Sequence, residues 1–176
     1  SGNNDKAGSV ATDFWGNSYF FYRSDQASDM ARIDKYDSEG TPIFNIGFGS
    51  TGNILPKDII VDNSQNFYVS GAYSGITDFG DGPSGSIGGK DYFVAKFTQN
   101  GTFKYKDIAG SVFDDFANSL CFDNSNSLIV GGFCSTPITF GSDNFDNGNT
   151  NSDILVVKYD KNFRFGDFNI SSINCL

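Results

Sequence analysis

One pattern occurs three times along this chain, and the repetition constrains its fold more than any other feature. Residues 115–132 read DFANSLCFDNSNSLIVGG, residues 55–71 read LPKDIIVDNSQNFYVSG, and residues 5–22 read DKAGSVATDFWGNSYFFY. Each copy has a short apolar run ending in Asp (Asp13, Asp62, Asp123), a polar turn holding Asn17, Asn66 or Asn126, and a second apolar run. Two strand-like runs around such a turn predict a β-hairpin. A third run follows as DMARIDKYDSEG (29–40), DYFVAKFTQNG (91–101) and DILVVKYDKNF (153–163). A fourth follows as TPIFNIGFGS (41–50), TFKYKDIAGS (102–111) and FRFGDFNISS (163–172). The spacing between hairpin aspartates is 49 and then 61 residues. The difference lies in the loop between the second and third runs, short at 23–28 and long at 74–90 and 135–152. A four-strand unit recurring every ~40–60 residues is the pattern of propeller blades.

The expected fold is therefore all-β: a β-propeller segment of four-stranded antiparallel blades, three in this chain, making an incomplete ring. The blades span 1–51, 52–111 and 112–176. Their strands are expected at 8–12, 18–22, 30–36 and 42–48; at 57–61, 66–72, 92–98 and 102–108; and at 118–122, 127–133, 154–160 and 164–169. The closing INCL would begin another unit. Apolar side chains crowd both faces of the second and third strands, as in Tyr19–Phe20–Phe21–Tyr22 and Met30–Ala31–Ile33. A sheet that is apolar on both sides has to be covered on both sides, as stacked blades are. Three wedge-shaped sheets should not close a ring, since propellers typically have about four to eight blades. The end faces thus predict further blades, from a longer parent chain, a second copy of this chain, or a different partner.

The second copy, with DIIVDNSQNFYVSG, GGKDYFVAKFTQNG and KDIAGS, resembles the SBBP-type β-propeller repeat. SLCFDNSNSLIVGG and DILVVKYDKNF carry the same resemblance in the third copy, and SDMARIDKYDSEG carries it more loosely in the first. The long loops share a Thr-x-Phe-Gly core at Thr77–Gly80 and, one residue shorter, at Thr139–Gly141. Membership in that family implies a repeat module used outside the cell or at its surface, often for adhesion or binding. It brings no catalytic motif.

The residue chemistry narrows the functions further. Lys and Arg number 12 against 21 Asp and Glu, with no His and a formal net charge of −9. Such a surface repels phosphate backbones and anionic lipid, so no nucleic-acid partner is expected. No apolar run approaches the ~20 residues of a membrane-spanning helix. No stretch reads as a signal peptide, as expected of a cytosolic chain or a processed one. Without His, a nucleophile elbow, a Walker loop or zinc spacing, the chain is not expected to be an enzyme. Asp114-Asp115, read as strand neighbours, would point to opposite faces. Of three cysteines, Cys121 is expected to be a small buried hydrophobe, and a Cys134–Cys175 link is left open.

Candidate site residues come from the long loops, because recognition commonly sits on variable loops over a rigid scaffold. Phe79, Asp81, Phe140 and Phe145 are candidates for binding a protein or glycan, although Phe79 and Phe140, at matching places in the repeat, also fit as anchors for their loops. Asp143, Asp146 and Asp153 lie in SDNFDNGNTNSD, where close-spaced oxygens would suit Ca²⁺; the spacing is not that of an EF-hand, and a solvated loop is the competing reading. No other cofactor is expected. The hairpin aspartates should cap their own turns, and Trp15, in the first turn, should cover a blade edge, with an exposed contact as the alternative. Asn100-Gly101-Thr102 and Asn169-Ile170-Ser171 match the glycosylation triplet, with Asn100 favoured as a turn residue. The expected function is a non-catalytic secreted or cell-surface module for protein or glycan binding and repeat-mediated assembly. The alternatives are a self-assembling structural subunit and a glycan-active enzyme with carboxylates at the channel mouth.

Overall fold

The computed structural model describes residues 5–24, 30–135, 137–141, 143–146 and 152–159, together with the backbone of 170–175. Among the described residues the chain is all-β and entirely antiparallel. The first meander is β1 (Lys6–Thr12), β2 (Ser18–Ser24), β3 (Met30–Tyr36) and β4 (Pro42–Gly49), paired in that order. The second is β5 (Ile54–Val61) and β6 (Phe67–Tyr73), a small hairpin β7 (Ile76–Asp78) with β8 (Pro83–Gly85), then β9 (Asp91–Phe97) and β10 (Phe103–Gly110). The third is β11 (Phe116–Phe122) and β12 (Leu128–Ser135), a small hairpin β13 (Ile138–Phe140) with β14 (Asp143–Phe145), then β15 (Ser152–Tyr159) and β16 (Ile170–Cys175). The small hairpins interrupt loops that the sequence left structureless. The fourth strand expected at 164–169 lies outside the described residues. Ile170–Cys175, at whose end a new unit was expected to begin, is instead the strand paired with β15.

The turn joining the first two strands of each meander is the same object three times. Oδ1 of Asp13 accepts the N–H groups of Trp15 and Asn17, both at 3.0 Å. Asp62 accepts those of Ser64 and Asn66, both at 2.9 Å, and Asp123 those of Ser125 at 2.8 Å and Ser127 at 2.9 Å. Each carboxylate thus satisfies donors that a tight turn leaves unpaired. The residue three past each Asp takes positive φ: Gly16 at 81°, Gln65 at 64° and Asn126 at 60°. Asn126 therefore fills this strained place, and Ser127 stands where Asn17 and Asn66 do. Asp37 repeats the device between β3 and β4, capping Glu39 and Thr41 with Gly40 at φ 85°. Asn100 sits in the matching turn of the second meander, followed by Gly101 at φ 80°.

The three sheets stack face to face. Every residue of β6 is buried, and its side chains alternate between two cores. Phe67, Val69 and Tyr73 join Phe93, Ala95 and Phe97 of β9 against Tyr19, Phe21 and Ile33 of the first sheet. Tyr68, Tyr92 and Val94 face the other way, against Leu128, Val130, Leu155 and Val157 of the third. Phe67 and Phe97 stack at 5.2 Å with their planes 9° apart. The middle sheet is therefore covered on both sides, as its two-sided apolarity requires.

A polar contact ties the first strands together. β1, β5 and β11 each carry a one-residue bulge at the same place, at Gly8, Lys57 and Asn118. Just past the second bulge, Asp58 accepts the Ser9 hydroxyl of β1 through Oδ1 and the Leu120 N–H of β11 through Oδ2, both at 2.8 Å. One carboxylate thereby touches both neighbouring sheets.

Gln65 is the one long side chain in the left-handed turn position, where a Cβ costs about 1 kcal/mol or more. Gln65→Gly is expected to raise unfolding stability by about 1 kcal/mol. Asp62→Ala, which strips the turn of its acceptor, should lower it by about 1–3 kcal/mol. Urea denaturation reads both as shifts of midpoint at unchanged slope.

Candidate functional site

The long loops are straps between sheets. Strand β13 adds to the outer edge of the second sheet, with Thr139 opposite Gly110 and Phe140 opposite Ala109. The earlier hairpin does likewise in miniature: Thr77 bridges Ser50, just past the end of β4. Phe79 and Phe140 follow these threonines and are buried, one in each inter-sheet core. Phe79 packs on Phe93 at 5.0 Å and Phe48 at 5.3 Å, and Phe140 on Tyr92 at 5.4 Å. Both rings therefore anchor their straps and are not presented to a ligand.

The remaining site residues from the sequence do not converge. Phe145 is half-buried against Phe140, and Asp81 is ion-paired with Lys106. Asp143 pairs across β14 with Phe140, Asp153 pairs across β15 with Cys134, and Asp146 is exposed. Among the described residues no group of three or more acidic or cysteine side chains stands close enough to hold a metal. Asn169 lies outside the described residues.

The strap of the second meander and the linker to the third are zipped together. Gly89 N–H donates to Phe113 O at 3.2 Å, Asp115 N–H to Lys90 O at 2.6 Å, and Lys90 N–H to Asp114 Oδ1 at 2.8 Å. The Lys90 ammonium closes on Asp114 Oδ2 at 2.9 Å, and this hydrogen-bonded pairing holds the Asp114 carboxyl below its usual range. Asp115, buried, accepts the N–H groups of Ser111 and Ser135, both at 2.7 Å. Asp114 and Asp115 thus sit in a linker, not a strand, and each is committed to a different partner. Backbone passes so close that a Cβ on Gly88 would lie 2.5 Å from Val112 Cα.

This zipper leaves large apolar side chains outside. Ile76, Ile87, Val112 and Phe113 are 52–69% exposed, and all four stand on the strap or the linker at this end. The sequence places 111–116 among the loops at this end but singles out neither Val112 nor Phe113. At the opposite end Trp15 is 57% exposed and Phe14 95%, stacked edge to face at 5.7 Å. Trp15 therefore covers no edge: the Asp13 turn aims its two central residues at solvent, where the sister turns carry Asn63-Ser64 and Asn124-Ser125.

Among the described residues no sheet covers the outer faces of the end sheets. On the first sheet a groove of about 870 Å³ is lined by Lys6, Val10, Phe20, Tyr22, Asp34 and Tyr36, among others. The Asp34 carboxylate there is occupied, accepting Tyr22 O–H at 3.1 Å through Oδ2 and the Asn45 amide through Oδ1. On the third sheet Cys121, paired with Ile129, is exposed. It faces the side that no described sheet covers, which is why it is not the buried residue expected.

One buried titratable cluster lies between the second and third sheets. Tyr159 O–H donates to Asp107 Oδ2 at 2.6 Å and lies 2.8 Å from the Tyr92 hydroxyl. Burial pushes the Asp107 carboxyl up to about 6. Perturbed groups mark functional sites when they face a cleft, but this one is sealed between sheets and acts on stability. No family model matches the chain, and no curated protein resembles it in sequence.

Because the folded carboxyl of Asp107 holds its proton up to about pH 6 and an unfolded one only to about pH 4, the folded state binds more protons in between. Stability from this group is full below about pH 4 and is lost as pH rises through about 6. Asp107→Asn, which keeps an acceptor for Tyr159, should flatten the decline in melting temperature between about pH 4 and about pH 6.

Proposed function

We propose that this chain is a segment of a β-propeller, three four-stranded blades of an incomplete ring, that works as a non-catalytic binding and assembly module outside the cell. Two features support the architecture. The first strands meet through Asp58, as inner strands around one axis would. The outer strands are spanned by straps, as the wide rims of wedge-shaped blades would need. The likeness of the repeats to SBBP-type modules supports the extracellular setting.

The observation that carries binding is the exposure of Ile76, Ile87, Val112 and Phe113 along the backbone-zipped strap and linker. Exposed large apolar side chains on a rigid base mark interaction sites. Their backbone is already ordered, so little conformational entropy is lost when a partner docks. The partner that fits is a protein surface with an apolar centre. The second reading, a self-assembling structural subunit, is favoured by the open faces of the two end sheets.

Ile87→Asp and Phe113→Asp test the patch. Screened against displayed extracellular proteins and glycans, the parent chain is expected to select protein ligands, and each variant to lose about tenfold or more in affinity, about 1.4 kcal/mol. Melting temperatures should be unchanged, because neither side chain is in a core. Ligands that bind both variants as well as the parent would refute the patch. Glycan ligands lost on Trp15→Ala would move the site to the opposite end.

A further inference from the structure

The open faces of the first and third sheets are not alike, and they differ in complementary ways. Strand pairing assigns every residue of the repeat to a forward face, turned to the next sheet, or a backward one. Phe20 and Tyr36 of the backward face of the first sheet correspond to Val69 and Phe97 in the second and to Val130 and Tyr159 in the third. Those four counterparts are buried by a preceding sheet, whereas Phe20 is 43% exposed. Tyr22 stands where the second and third sheets have Gly71 and Gly132. This face is therefore bulkier than its counterparts.

The forward face of the third sheet is emptier. Gly131 stands where the first sheet has Phe21 and the second Ser70. Around it lie Ile129, Phe133, Val156, the exposed Ile154 and Cys121. The third sheet is thus hollow at Gly131, between the large Phe133 and Ile129, and the open face of the first sheet is bulky at Phe20 and Tyr22. Charge follows the same arrangement. In the junction between the first two sheets, Lys35 reaches Gln99 O in the turn between β9 and β10, at 3.2 Å. The residue matching Lys35 in the third sheet is Lys158, whose ammonium pairs with Asp123 of its own chain at 2.7 Å, and the turn matching Gln99 in the first sheet holds the half-buried Asp37 and the exposed Glu39. A lysine on one face would meet acids on the other.

We propose that the forward face of the third sheet docks on the backward face of the first sheet in a second copy of this chain. The new junction continues the two internal ones. Two such junctions, related by a two-fold axis, join two copies into a closed set of six sheets, within the range of about four to eight that propellers use. The contact is heterologous, forward face to backward face, so each copy carries both halves. Only residues 25–29, a length too short for a hairpin strap, separate β2 from β3 in the first meander, against 74–90 between β6 and β9, and the association is reversible. This inference rests on the propeller reading, but it can fail alone: a monomer could still be a propeller segment completed by other blades.

The test is sedimentation of the intact chain across a concentration series, with thiol labelling of Cys121 in parallel. The expected result is a monomer–dimer equilibrium centred on 19.1 kDa and twice that mass, with Cys121 labelling slowed at least severalfold in the dimer. Phe20→Arg and Ile154→Arg, on opposite faces, should each give folded monomers with rapid labelling. Mixing the two variants restores one undamaged junction and should return a dimer, which a contact between like faces would not do. Glu39→Lys, on an exposed turn, should weaken the dimer and leave the melting temperature of the monomer unchanged. A chain that stays monomeric throughout with Cys121 fully reactive overturns the second-copy proposal, as does a dimer that neither arginine substitution weakens. Circular dichroism confirms that the variants are folded. The propeller reading would fail separately, if the Asp58 contacts between first strands were absent from an experimental structure.

Discussion

The middle sheet cannot present either face to water. With Phe67, Val69 and Tyr73 on one side and Tyr68, Tyr92 and Val94 on the other, it is stable only between companions. Burying each such side chain contributes about 1.5–3 kcal/mol, against about 0.5–1.5 for a neutral hydrogen bond net of water and about 1.5–3 for one to a charged group, and the apolar side chains in the two cores act in number. Stacking is therefore the main source of stability, and the polar contacts choose its geometry. Asp58 fixes how near the first strands come, and Asp107 with Tyr159 adds a second buried contact at one junction only. That contact costs stability at neutral pH, because burial opposes the carboxylate's charge.

The turns and the straps divide the remaining work. The Asp-capped turns are local: one side chain satisfies two backbone donors and sets the register of its hairpin. The straps are long-range, each joining a loop of one sheet to the outer strand of the sheet before it. Buried Phe79 and Phe140 hold them down. A loop fastened in this way becomes scaffold, and exposed chemistry is left to its margins, at Ile76 and Ile87 and on the linker at Val112 and Phe113.

What could be read in the sequence follows that same division. The hairpin aspartates and the strand runs were legible because an Asx turn and a two-sided apolar strand depend on adjacent residues alone. The straps were not, because pairing Thr139 with Gly110 needs two segments far apart in the chain. Trp15 and Cys121 were misjudged for a related reason: whether a residue is covered depends on the neighbouring sheet, not on its own strand. The strand paired with β15 at Ile170–Cys175 was not legible because pairing, and not apolar content, selects it. Of the candidate site, the anchoring role of Phe79 and Phe140 was visible in the repeated Thr-x-Phe-Gly. Phe113 was not singled out, since its exposure follows from the pairing of the linker with the strap at Gly89, a contact between segments far apart in the chain.

Everything in this account depends on sheets that need neighbours, and residues 52–111 as an isolated peptide examine that need most directly. Denaturant titration followed by near-ultraviolet circular dichroism should find no cooperative transition, because both faces of this sheet would be bare. A cooperative unfolding curve from a monomeric 52–111 peptide would contradict the account, since the meander would then be a self-sufficient domain and the stacking incidental.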